Sequence, residues 1–140
     1  MPKMRMFLSA LILVFLAGIG FAATQNAAVK GPSQIIKVSA RKYEFTPSVI
    51  HVKDGSRVEL KVHSVDETHG IKLSLYPEGS HDKSSPGLLF DNPKENGKVE
   101  KGKDQILDFV AQRPGTYEFK CSKFCGFGHH RMKGKLVVEE

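Results

Sequence analysis

Tryptophan is absent from this 140-residue sequence, cysteine occurs only twice, and nowhere do five like charges follow one another. Each shortage closes off a class of reading. A nucleic-acid surface needs clustered Lys and Arg, whereas here basic and acidic side chains are interspersed and the net charge is a mild +6. Two cysteines cannot supply a framework of several disulfides, so the fold must rest on a hydrophobic core. A chain of 140 residues with 40% hydrophobic content is enough for one such core in a single domain. Helical periodicity is lacking beyond residue 22, which leaves β-structure as the material of that core. No paired acid and base can be named either, so turnover by the chain alone is not expected.

What is present begins with an export signature. Lys3 and Arg5 precede an apolar run from Phe7 to Phe21, and Gly20-Phe21-Ala22 puts small residues where a signal peptidase reads. Residues 1–22 read as a signal peptide or, left uncleaved, as a membrane anchor, although the run is short of the ~20 residues that span a bilayer comfortably. Either way the remaining chain is expected in the periplasm or on the outer face of the cytoplasmic membrane. Without Lys3 and Arg5 the basic count falls from 21 to 19 against 15 acids, a net of +4. That balance concerns solubility and docking.

A polar linker at 23–33 leads into a domain at 34–140. Short runs there alternate with period two: Gln34 to Ala40, Val49 to Val52, Arg57 to His63, His69 to Leu75, Gln105 to Ala111, Thr116 to Cys121 and Gly134 to Val138. Val58, Leu60 and Val62 share one face. Asp54-Gly55 is a hairpin signal between two of these runs, and Pro114-Gly115 punctuates a later pair. The pattern predicts an all-β fold, a β-sandwich with Greek-key connections. A long loop interrupts it at 76–103, with Pro77, Pro86, Pro93 and four glycines, and Leu88, Leu89 and Phe90 in its middle are placed to pin it to the body.

Both cysteines fall in one stretch, Cys121-Ser-Lys-Phe-Cys-Gly-Phe-Gly-His-His-Arg-Met132, between the last two strands. A disulfide, a zinc clamp and a copper site all suit part of it. Export permits a disulfide, but a bridge from Cys121 to Cys125 closes a loop so short that cross-linking stabilises it least; spacing alone leaves disulfide and metal open. Zinc would use Cys121, Cys125, His129 and a distant His69, and has no use for Met132. Thiolate, imidazole and thioether together are the soft set that favours copper, and His69, Cys125, His129 and Met132 match a mononuclear blue-copper pattern. Cys121 is then one thiolate too many, and two thiolates can bridge two copper ions. Copper delivery or storage is a further alternative. His130 is expected to be exposed, because the spacing to Met132 selects His129, and His51, His63 and His81 read as surface residues. Gly126 and Gly128 allow sharp turns. Phe124 and Phe127 are expected to form an apolar collar that keeps water from the site.

The pattern Cys-x-x-x-Cys-Gly-x-x-His-x-x-Met with an upstream Asp66-x-x-His69-Gly70 strongly resembles the binuclear CuA domain of cytochrome c oxidase subunit II. The resemblance covers about 35–75 and 104–140. It implies a cupredoxin β-sandwich and two copper ions bridged by Cys121 and Cys125, one completed by His69 and Met132, the other by His129 and the backbone carbonyl of Lys123. It implies single-electron transfer, by a free carrier or by the electron-entry component of an oxidase, with a cytochrome c-like donor or a haem-copper oxidase as redox partner. The single apolar segment is similar to the one-helix form of that subunit. Lys123 stands where the family usually carries glutamate, which keeps a carbonyl ligand and removes a carboxylate that links the site to the catalytic subunit. The family's usual tryptophan, an entry point for electrons, has no counterpart here.

Overall fold

Alternating β-branched and aromatic residues favour an extended backbone with one buried face. The structure, a computed structural model describing residues 31–91 and 96–140, arranges such segments as ten strands. These are β1 (Ser33–Arg41), β2 (Glu44–Thr46), β3 (Val49–Lys53), β4 (Arg57–Ser64), β5 (His69–Leu73), β6 (Leu88–Phe90), β7 (Asn96–Val99), β8 (Asp104–Ala111), β9 (Gly115–Lys120) and β10 (Lys133–Glu139). The apolar segment read as a signal or anchor lies outside the described residues. No helix among the described residues is long and apolar enough to cross a membrane.

Two five-stranded sheets face each other, ordered β2-β1-β4-β8-β6 and β3-β10-β9-β5-β7. Each is mixed, because β1 runs parallel to β4 and β3 parallel to β10 while the other pairings are antiparallel. Val38, Val58, Leu60, Val62, Leu107 and Phe109 come from the first sheet, and Ile50, Val52, Ile71, Leu73, Tyr117, Phe119, Leu136 and Val138 from the second, to close one core. Phe45 and Phe119 meet edge to face at 5.3 Å across it. Tyr117 is fully buried, and its hydroxyl donates to the Arg113 carbonyl at 2.6 Å, so a large ring enters the core without leaving its oxygen unpaired.

Two expectations change. Asp54-Gly55 does not close a hairpin: it joins β3 to β4, which belong to different sheets, with Gly55 at φ 76°. Both strands bury their apolar faces toward the shared core, so the turn carries the chain across the sandwich. Pro114-Gly115 likewise leads from β8 into the other sheet. The 76–103 excursion contains two strands. β6 pairs with β8, burying Leu88, and β7 pairs with β5, burying Val99, so this segment supplies the last strand of each sheet. With three and four residues, neither is long enough to show a period.

Candidate metal centre

The connection from β9 to β10 holds itself in shape. The Cys121 amide donates to the Met132 carbonyl at 2.9 Å, closing its base, and the amides of His129, Arg131 and Met132 donate to Gly126, Gly128 and His129 in a 3-10 turn at His129–Arg131. Ser122 Oγ donates to Asn96 Oδ1 at 2.7 Å, tying the loop to β7. Gly70, next to His69, lies so close to Ser122 and the Lys123 amide that any side chain there would push the loop away.

Onto this frame the structure brings every sequence-predicted site residue. Cys121 Sγ and Cys125 Sγ are 3.7 Å apart, and with a ring nitrogen of His69 they form a group whose atoms all lie within 4.8 Å of one another. Cys125 Sγ is also 3.9 Å from His129 Nδ1 and 3.8 Å from Met132 Sδ, and the Cys121 thiol donates to the Lys123 carbonyl at 3.0 Å. Both cysteines are free; a disulfide would need about 2.05 Å. His69 and Met132 are fully buried, the cysteines nearly so, and His129 is half-buried. His130 is exposed, as are His51, His63 and His81.

Burial pushes the Cys125 thiol up from 9.0 to about 11, with the Cys121 sulfur beside it adding to the shift, so a thiolate here needs compensating positive charge. Burial also pushes Asp66 up, but the Lys42 amide, the His69 ring and the Glu67 amide outweigh it and hold its carboxyl at about 2. Asp66 is therefore an ionised acceptor at neutral pH, 2.7 Å from His69 Nε2. An ionised carboxylate can only accept, so His69 Nε2 is the donor of this bond. His69 Nδ1 is buried with no hydrogen-bond partner among the described residues, which a metal ligand would be and a core histidine would not. The donor set, two sulfur acids, two imidazoles, a thioether and a carbonyl, fits copper.

Sequence reasoning missed Tyr43 and the role of Asp66. Tyr43, from the turn between β1 and β2, lays its ring on Gly126 and Gly128, where an added Cβ would strike it. Only Gly126, at φ 125°, needs glycine for its backbone; Gly128 has φ −85° and needs it for the ring. The signal for Asp66 was its place three residues before His69; nothing local announced Tyr43. The expected collar is corrected. Phe124 is 67% and Phe127 100% exposed, because the loop turns its apolar tip outward while its sulfurs face the core.

The profile of the cupredoxin-like domain matches residues 10–138. The chain belongs to the cupredoxin-like domain family. Within this family it is similar to cytochrome c oxidase subunit 2 of Thermus thermophilus, 30% identical over 111 residues that span 79% of this chain and 70% of that one. A haem-copper terminal oxidase dimer solved by electron cryo-microscopy shares 26% identity at a TM-score of 0.56, over 76% of this chain and 65% of that chain. Auracyanin A, a blue copper protein of Chloroflexus aurantiacus, has the same fold at a TM-score of 0.57 and 19% identity, covering 78% of this chain and all of that one. The cupredoxin-like domain thus shares its frame with both kinds of copper protein. Its two cysteines lie at the end of the sandwich where β5, β9 and β10 meet.

Proposed function

We propose that the chain is an exported copper protein that transfers single electrons through a binuclear centre, free-standing or linked to a terminal oxidase. His69, Cys121, the Lys123 carbonyl, Cys125, His129 and Met132 would hold two copper ions. The observation that carries this reading is the pair of buried sulfurs 3.7 Å apart, with imidazole, thioether and carbonyl donors around them. A mononuclear site has no use for the second thiol.

Bound there, copper would supply a one-electron couple. The chain's own residues do the rest. Asp66 fixes the His69 tautomer and presents Nδ1 inward. Both thiols give up protons when a metal enters, so uptake releases acid. Strand β5 and the loop between β9 and β10 hold the donors against one packed core, which limits how far they shift when charge changes. Among the side-chain donors His129 is the most exposed, being half-buried.

The relation to oxidase subunit 2 supports a haem-copper oxidase as redox partner; in this reading a cytochrome c-like protein is the donor. The export reading of residues 1–22 supports a periplasmic or outer-face location, anchored where that segment is kept. Native mass spectrometry of the copper-loaded protein tests the centre. Two coppers per chain are expected, with an electron-spin signal shared over both nuclei. One copper with an intense blue band would replace this reading with a mononuclear carrier, and a colourless zinc site would end it.

A further inference from the structure

We propose that the outer face of the second sheet, beside the metal loop, is the docking surface for an acidic redox protein. Strand register builds it. Lys72 on β5 stands directly opposite Lys120 on β9, and Lys120 directly opposite Lys133 on β10. All three are exposed. At a strand spacing of about 4.8 Å they form a row about 10 Å long. Like charges set opposite one another weaken a sheet. Glu118 is the one carboxylate that pairs with the row among the described residues, shared between Lys120 at 3.9 Å and Lys133 at 3.7 Å. The first sheet's outer face is neutralised differently: Lys61 and His63 both pair with Asp104, and Arg57 pairs with Asp91 and Asp108.

The lysine row lines a cleft of about 460 Å³ whose wall includes Cys121 and His129. Whatever covers the lysines therefore sits beside the metal donors. A second hollow of about 270 Å³ extends the surface to Lys123 and to Lys98, which pairs with Glu100 at 2.9 Å, and Phe124 and Phe127 protrude from the same loop. A small anion needs a compact pocket, whereas a spread of charge with protruding aromatics matches the rim and anchors of a protein interface. Carboxylates on the partner complement that charge, steer the encounter and fix its orientation. The purpose of this surface rests on the electron-transfer reading, but its test reads binding and needs no copper.

The test uses the full chain, metal-free and copper-loaded, with two forms of one probe: cytochrome c with its native basic surface, and the same protein succinylated on its lysines to make it acidic. The acidic form should bind and the basic form should not. Raising salt from about 10 mM to about 150 mM shortens the screening length from about 30 Å to about 8 Å and should weaken the complex. Lys72→Glu, Lys120→Glu and Lys133→Glu together should slow association about tenfold or more, the low end of electrostatic steering. The matching triple change to Gln should slow it less, in the same direction, and covers the case of a Glu variant that does not fold. Lys37→Glu, on the other sheet, should leave it unchanged. Equal binding of both probe forms, or unchanged association in the triple variants, would overturn the docking surface. So would displacement of the probe by millimolar inorganic phosphate at constant ionic strength, which would mark a small-anion site. A different copper count with the acidic probe still bound would remove the binuclear reading and leave the surface standing.

Discussion

Replacing Gly128 by alanine should destabilise the protein through one collision, and removing the Tyr43 ring should relieve it. Gly128 has φ −85° and ψ 2°, the conformation of the third residue of a type I turn, which alanine can take, so the backbone is not the main penalty. An added methyl would instead meet Cγ, Cδ2 and Cε2 of Tyr43, all nearer than carbon atoms normally approach. The ring is packed against the core and the loop is held by its own backbone hydrogen bonds, so neither yields freely. Overpacking of this kind costs about 1–3 kcal/mol, and each kcal/mol lowers Tm by about 4 °C in a domain of this size. Gly126→Ala differs, since at φ 125° alanine is strained whatever Tyr43 does. A double-mutant cycle in urea on the metal-free chain separates the two, free of any stabilisation from bound metal. Gly128→Ala with Tyr43→Ala should show a compensating coupling of about 1 kcal/mol or more that removes most of the Gly128 penalty, while Gly126→Ala sheds only its contact with the ring and keeps its backbone cost in either background. A Gly128→Ala penalty of equal size with and without the ring would refute the packing argument.

Two further outcomes follow from the site. If the proposed two-copper centre is right, Cys121→Ser should abolish it, whereas Met132→Leu should retain both ions and shift the potential, because a thioether donor tunes more than it holds; likewise His129→Ala should lose copper and His130→Ala should not, as metal analysis and voltammetry would read. Asp66 gives an acid-stability signature: its carboxyl is held at about 2 against an ordinary 3.8, so its contribution is present above about pH 4 and disappears as pH falls through about 2. That displacement converts to at most about 2.5 kcal/mol, and because the side chain is a third exposed, screening reduces it to about 1 kcal/mol. Asp66→Asn should remove that amount near neutrality and flatten this part of the acid limb, which chemical denaturation across pH 2 to 5 would show.

The longer strands were legible from their period-two pattern, β3 among them by the run Val49 to Val52. Val58, Leu60 and Val62 are the clearest case: they alternate in the chain and are all buried in β4. β2, β6 and β7 were not legible, because in three or four residues they carry no clear alternation of buried apolar positions. Asp54-Gly55 illustrates the limit of turn chemistry. A glycine at positive φ reports that the chain turns, but whether it returns to the same sheet depends on which neighbours each strand finds, and β3 finds β10.

Most of the candidate donor atoms were written in one local stretch, since Cys121, Cys125, His129 and Met132 lie within a single loop, and thiol, imidazole and thioether are the soft set that suits copper. Folding added what spacing cannot encode. It brought His69 from another strand, set Asp66 to hold its proton, laid Tyr43 over the loop and turned Phe124 and Phe127 outward. It also aligned Lys72, Lys120 and Lys133, residues that sequence scatters and register gathers. The reason is physical: coordination preference belongs to the side chain, whereas burial, tautomer and the summed field of neighbouring charges belong to the space that distant strands enclose.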